Sequence, residues 1–232
     1  MKIPLSTRLS CCCDFINKGD RVADIGCDHG YLGIYLLSKG IASHVIAADI
    51  NEGPLQSAKR NADKFGVANK IEFYLSDGVQ SIPRDFDAMV CAGMGGDTMV
   101  SILSAASWLR DPRYRLILQC QSKTHILRPY LMDMGWKIEK EVVVRDGRFL
   151  YTVIYAIWQG SLSGGTVRDF YYSPCMLESP TPESIRYYHQ VVKRLRISVE
   201  GQGENADIEE EIALSQLEAL QKTYPFLKED TQ

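Results

Sequence analysis

Between residues 20 and 158, short apolar runs alternate with longer segments whose apolar positions recur every three or four residues. Val22-Ala23-Asp24-Ile25, His44 to Ile50, Ile71 to Leu75, Phe86 to Cys91 and Tyr114 to Gln119 read as buried strands. Tyr31 to Lys39 (closed by Gly40), Pro54 to Phe65, about Asp97 to Leu109 and a stretch ending near Met134 read as the helices between them. Repeated strand–helix units predict a parallel sheet with helices on both faces. Two longer apolar runs follow, Trp136 to Val144 and Phe149 to Trp158, separated by Arg145-Asp146-Gly147. An Asp-Gly step between apolar runs predicts a hairpin, here at the sheet edge. The expectation is an α/β fold with a mostly parallel, seven-stranded sheet.

The pattern changes after residue 158. Gln159 to Gly165 is rich in Gly and Ser and reads as a boundary, giving one domain over 1–160 and a helical, coiled-coil-like domain over 161–232. Thr181-Pro182-Glu183 is a helix start: a capping hydroxyl, a proline at the first helical position and an acid in the first turn. Ile185, Tyr188, Val192, Leu195 and Val199 then form one apolar face, and Gly201-Gln202-Gly203 ends it. Asp207 with Glu210 resembles a capping box for a second helix, whose apolar face is Ala213, Leu217, Leu220 and Tyr224. A helical hairpin is expected over 182–224.

Composition narrows the class. The 232 residues are 45% apolar and 24% charged, ordinary for a globular protein, and the net charge of -3 confines any nucleic-acid surface to a local patch. Seven scattered cysteines without metal-ligand spacing predict free thiols in a reducing cytosol and no metal site. The consecutive Cys11, Cys12 and Cys13 point in different directions on a helix and read as small apolar side chains. Met1 to Ile16 has no apolar core of a signal peptide, and no stretch approaches 18 apolar residues. A cytoplasmic protein without membrane contact, a monomer or weak dimer, is expected.

The candidate chemistry begins at Asp24-Ile25-Gly26-Cys27-Asp28-His29-Gly30, a strand-to-helix turn. Glycines there let a backbone approach a ligand closely, and the helix start offers unpaired N–H groups. A dinucleotide fingerprint would place glycine where Asp28 stands. A carboxylate repels a pyrophosphate but favours an ammonium or sulfonium, so Asp24 and Asp28 point to S-adenosylmethionine and against a dehydrogenase. Asp49, followed by Ile50, can accept from ribose hydroxyls, and Asp77, followed by Gly78, from an adenine amino group. Three acids at the ends of three successive strands converge on one crevice. Ala92-Gly93-Met94-Gly95-Gly96 follows the fourth strand. Such a loop offers space and backbone groups rather than a base, which suits an acceptor with a free lone pair, such as a ring nitrogen. Together with the strand pattern, this is the class I, Rossmann-like methyltransferase architecture.

These residues resemble a known family. The segment Asp24 to Leu32, Gly53-Pro54, Ser76-Asp77-Gly78, Ala92 to Gly96, Leu116-Ile117-Leu118-Gln119 and Gly135-Trp136 are similar to the bacterial TrmK proteins, tRNA (adenine-N1)-methyltransferases acting on position 22. Arg8-Leu9 matches that family's N-terminal segment. The resemblance implies S-adenosylmethionine as cofactor, with Arg8, Leu9, Asp24, Gly26, Cys27, Asp28, His29, Gly30, Asp49, Ile50, Asp77, Gly78, Ala92 and Gly93 around it. It implies tRNA as partner, with Asp28, Met94, Gly95, Gly96 and Gln119 at the reacting base. Tyr151 is a candidate stacking partner for a flipped base. Lys123 and Arg128, and a stripe of Arg186, His189, Lys193 and Arg196, are candidate RNA contacts. The family reads Gln-Pro-Asn and Tyr-Glu where this chain has Gln119-Cys120-Gln121 and Tyr151-Thr152. Methylation of a small molecule or protein, or cofactor and RNA binding with weak catalysis, are the alternatives.

Overall fold

The computed structural model describes residues 3–162 and 164–228; residues 1–2, Ser163 of the Gly/Ser-rich boundary and residues 229–232 lie outside them. Among the described residues, seven strands form one sheet in the order β3-β2-β1-β4-β5-β7-β6. They are β1 (Arg21–Ile25), β2 (His44–Asp49), β3 (Ile71–Leu75), β4 (Ala88–Gly95), β5 (Arg115–Ser122), β6 (Trp136–Asp146) and β7 (Phe149–Trp158). β1 to β5 pair in parallel, and β7 lies antiparallel between β5 and β6. The expected α/β fold and edge hairpin are therefore present. The hairpin pairs Asp146 with Phe149 across Gly147-Arg148, and Gly147 takes a positive φ of 60°.

The central strands are buried nearly throughout because both faces are covered, whereas the edge strand β6 carries exposed Lys137, Glu139 and Lys140. Along β4, Ala88 and Val90 enter one core while Met89 and Cys91 enter the other. α1 (Thr7–Cys13), α2 (Tyr31–Ser38) and α3 (Glu52–Lys64) cover the first face; α4 (Gly96–Ser104) and α5 (Thr124–Asp133) cover the second. In α1, Cys12 and Cys13 are buried as packing residues, in agreement with their reading as small apolar groups.

α6 (Val167–Tyr171), α7 (Pro174–Glu178), α8 (Pro182–Gln202) and α9 (Ile208–Thr223) follow. The helical hairpin is formed by α8 and α9. Thr181 caps α8 by accepting from the Ser184 N–H at 3.1 Å, and Tyr188 donates to the Leu217 carbonyl at 2.8 Å. Their core takes in Val143 and is flanked by Leu150, so it continues onto the β6–β7 hairpin.

One expected RNA contact is corrected here. Arg128 is 1% exposed and lies in this junction. Its Nη2 donates to Glu141 at 2.8 Å and its Nη1 to the Phe170 carbonyl at 2.6 Å. Burial disfavours its charge, but Glu141 and the Tyr187 hydroxyl outweigh that, so the guanidinium stays charged and joins α5, β6, α6 and α8. A buried arginine held bidentately by a carboxylate is out of reach of a phosphate.

Candidate functional site

The strand order reverses between β1 and β4, which opens a crevice at the carboxyl ends of the strands. A cavity of about 320 Å³ lies there, walled by Arg8 and Leu9 of α1, by Asp24, Gly26, Cys27, Asp28 and His29 of the first turn, and by Ala92, Gly93 and Met94 of β4. Tyr31 and Leu32, which sequence reasoning left out, complete the wall. Gly30 is buried and closes the turn at φ 72° against Ala58.

Asp24 points toward α2 from the end of β1. Burial pushes its carboxyl up to about 7, partly opposed by the Gly33 N–H that it accepts, with Asp49 pushing it further up. Its Oδ2 is buried without a hydrogen-bond partner. An oxygen in that state is costly unless a ligand donor meets it. Arg8 supplies the opposite charge on the other wall. Its Nη1 donates to Gln119 Oε1 at 2.7 Å, and its Nε lies 3.5 Å from Asp146. Gln119 Oε1 also accepts from the Gly93 N–H at 3.0 Å.

Asp28 adopts a left-handed conformation at φ 49°, which turns its side chain out into solvent beside His29, 3.7 Å away. Its backbone N–H donates to Asp49 Oδ2 at 3.1 Å, and the Asn51 N–H donates to Asp49 Oδ1 at 2.9 Å. Asp49 is thus nearly buried but keeps lone pairs for a further donor. Ile50, Asp77 and Gly78 stand at the neighbouring strand ends and do not line the cavity itself. Ile50 and Leu75 are exposed apolar side chains beside the two acids, at 61% and 56%. Gly78, at φ 56°, is also required by packing, since a Cβ there would press on Ile102.

The glycine-rich segment is not a loop. β4 continues through Gly95, with register shifts around Met94, and α4 starts at Gly96. The shifts let Met94 fold back over Gly26, where any Cβ would collide with its Cε, and its sulfur lies 3.3 Å from that of Cys91. Met94 is therefore a cavity wall at the first turn. Gly95 pairs with Ser122, and a Cβ at Gly96 would collide with the Lys123 carbonyl. Gln119 is fully buried and reaches the site only through Arg8 and Gly93. The side chains that stand over Gly93 are Arg8 and, beside it, the exposed Gln121, which sequence reasoning noted only as a departure from the family pattern. Alternation along β5 was the signal: if Gln119 faces inward as a brace, its neighbours two residues on share that face.

The remaining expected contacts scatter. Lys123 pairs with Asp97 at 2.6 Å, Tyr151 is half-buried on β7 beside Phe149, and Thr152 is buried 3.5 Å from the Thr124 hydroxyl. Arg186 and Lys193 are exposed on α8, while Arg196 donates to Glu218 of α9 at 2.6 Å.

A buried unpartnered carboxylate oxygen, a guanidinium across from it and a glycine-lined turn fit the amino-acid end of S-adenosylmethionine. A profile described as a methyltransferase domain matches residues 5–154. The chain belongs to the methyltransferase-domain family. It is 35% identical over 156 residues to the tRNA (adenine(22)-N(1))-methyltransferase of Bacillus subtilis, covering 67% of this chain and 66% of that one. By sequence, then, the chain spans slightly under two thirds of that relative. By structure the likeness is longer. The Bacillus subtilis TrmK crystal structure superposes with a TM-score of 0.80 at 26% identity, over 97% of this chain and 99% of that one. A Streptococcus pneumoniae protein solved with S-adenosyl-L-methionine gives 0.81 at 25% identity, over 97% and 100%. Both superpositions take in the C-terminal helices. Among the described residues, no helix of this methyltransferase is long and apolar enough to cross a membrane.

Proposed function

We propose that this methyltransferase transfers a methyl group from S-adenosylmethionine to N1 of adenosine 22 in tRNA, in the cytoplasm, as a monomer or weak dimer. The observation that carries this reading is the structural likeness to TrmK over 97% of the chain, C-terminal helices included. The Thermotoga neapolitana ribosomal protein L11 methyltransferase, by contrast, aligns with only 53% of the chain.

In this reading Asp24 holds the cofactor's ammonium and Arg8 its carboxylate. Asp49 accepts from the ribose, Asp77 from the adenine amino group, and Ile50 covers the adenine ring. When bound, the cofactor supplies an electrophilic methyl on a sulfonium. The chain's own work is alignment. Gln119 ties Arg8 to the Gly93 backbone, so the guanidinium and the end of β4 move together. Adenine N1 carries a lone pair in the ring plane, so no base has to remove a proton before attack. Holding the reacting atoms in line is the remaining task, with Asp28, at the mouth of the crevice, as the carboxylate that offsets the cation that forms. Gln121, exposed over Gly93, is the side chain best placed to read the entering base.

The test uses labelled cofactor and two tRNA transcripts that differ only at position 22. Label should enter the adenosine transcript and not the guanosine one. Equal labelling of both, or none in either, rejects the proposed acceptor.

A further inference from the structure

A second cavity, about 210 Å³, lies where the α/β part meets α8; of its lining, Lys123 and Tyr151 are candidate RNA contacts read from the sequence, and its α8 side has no role so far. Its floor is the end of β5 and the start of α5, with Lys123 and His125; β7 contributes Tyr151; α8 closes it with Tyr187, Gln190 and Arg194. It begins beside the crevice. Gly95 of β4 pairs with Ser122 and Cys120 with Thr152, so the cavity sits one to two strands from Gly93, roughly 5–10 Å. Gln121 borders both places.

The geometry of α8 decides which cations can serve it. At about 100° per residue, Tyr187, Gln190 and Arg194 share one face. The stripe of Arg186, His189, Lys193 and Arg196 is turned roughly 110° away, and His189, Lys193 and Arg196 face Gln221 of α9. Arg194 is exposed, and among the described residues no carboxylate lies within ion-pair distance of it. Lys123 is already held by Asp97. His125 stacks on Tyr171 with ring centroids 5.1 Å apart. The rest of the wall is uncharged, and on α8 it offers the neutral donors Gln190 and the Tyr187 hydroxyl. An arginine without a counter-ion, set among neutral donors, is the arrangement that takes a phosphate oxygen.

We propose that this cavity binds a phosphodiester of the RNA strand next to the acceptor base, with Arg194 as its charged contact. It rests on the tRNA reading above. Arg194 thereby fixes how far the acceptor nucleotide enters the crevice, and α8 reaches the substrate through the face turned to the sheet. The rival is a structural role. Glu210 of α9 acts electrostatically on the same His125 and Tyr171 rings, and Arg194 would only balance it.

Binding of unmodified tRNA is measured over a range of salt for the wild type, Arg194→Ala, Arg194→Lys and Lys64→Ala, with methyl transfer and melting temperature alongside. Lys64, at the far end of α3, removes one charge remote from the crevice. Arg194→Ala should weaken tRNA binding roughly ten-fold and reduce the log–log salt slope by about 0.7, one contact's worth. It should raise KM for tRNA more than it lowers kcat, and leave cofactor affinity unchanged. Arg194→Lys should restore the slope but only part of the affinity, and Lys64→Ala should change neither. An unchanged slope with a lowered melting temperature assigns Arg194 to Glu210 and overturns the proposal. A wild type that neither binds nor methylates tRNA overturns the tRNA reading instead.

Discussion

Replacing Asp24 by Asn should abolish one limb of the pH dependence of cofactor binding. In the free protein burial holds the Asp24 carboxyl at about 7, against an ordinary 3.8. Below pH 7 it therefore carries a proton, and an ammonium that pairs with it must displace that proton. If pairing restores the ordinary value, affinity climbs as pH rises from about 4 to about 7. The ceiling is three pK units, or ~4 kcal/mol at 1.36 kcal/mol per unit. Above pH 8 the cofactor's own α-amino group, with an ordinary pKa near 7.7–8.0, loses its charge, so affinity should peak between about 7 and 8. The free protein shows the opposite sign. A carboxyl whose folded pKa is raised contributes stability below its unfolded value and loses it as pH rises through about 7. Calorimetry between pH 5 and 9, in buffers of differing ionisation enthalpy, reads both the affinity and the proton count. The wild type should release up to one proton per cofactor near pH 6. Asp24→Asn should release none, bind roughly ten- to hundred-fold more weakly at pH 7.5, and show no acid limb. An Asn variant that keeps the acid limb would refute the assignment of Asp24 to the ammonium.

Two further predictions concern the frame around the site. Arg128→Ala leaves Glu141 buried without its partner, which should cost about 3–5 kcal/mol and lower Tm by roughly 10 °C. Arg128→Met with Glu141→Leu should recover most of that, and a single variant melting within about 2 °C of wild type contradicts the role of this pair. Gly96→Ala drives a Cβ into the Lys123 carbonyl and should destabilise by about 1–3 kcal/mol in urea unfolding. Gly95→Ala, which meets only the Ser122 hydroxyl oxygen at 3.1 Å, should cost less; the reverse order would mean that β4 does not continue into α4 as described.

What could be read in the sequence was what local physics governs. Apolar runs of four to eight residues gave the strands because a doubly covered sheet buries them on both faces, and the Thr181-Pro182 signal marked the α8 start because a cap acts within one turn. The turn from Asp24 to Gly30 was legible because its ligand is charged and its glycines must take positive φ. What escaped depends on tertiary packing. α1 is seven residues long with no apolar periodicity to announce it, so Arg8 entered only through the resemblance. Gly93 to Gly96 looked like a loop because glycine signals a turn, whereas register shifts within a strand and close backbone packing require it just as much. Arg128 looked like surface charge, since its buried partner Glu141 lies on another element. Arg194 was passed over because the stripe beside it has more cations, and only the docking of α8 decides which face meets the sheet.

The central claim is tested most directly by mass spectrometry of nucleosides from an unmodified tRNA transcript incubated with the protein and isotopically labelled S-adenosylmethionine. The account predicts one labelled product, N1-methyladenosine, mapping to position 22, with unlabelled product absent. Label on the exocyclic N6, on another base or on another position would contradict an acceptor site built for a ring nitrogen at that adenosine.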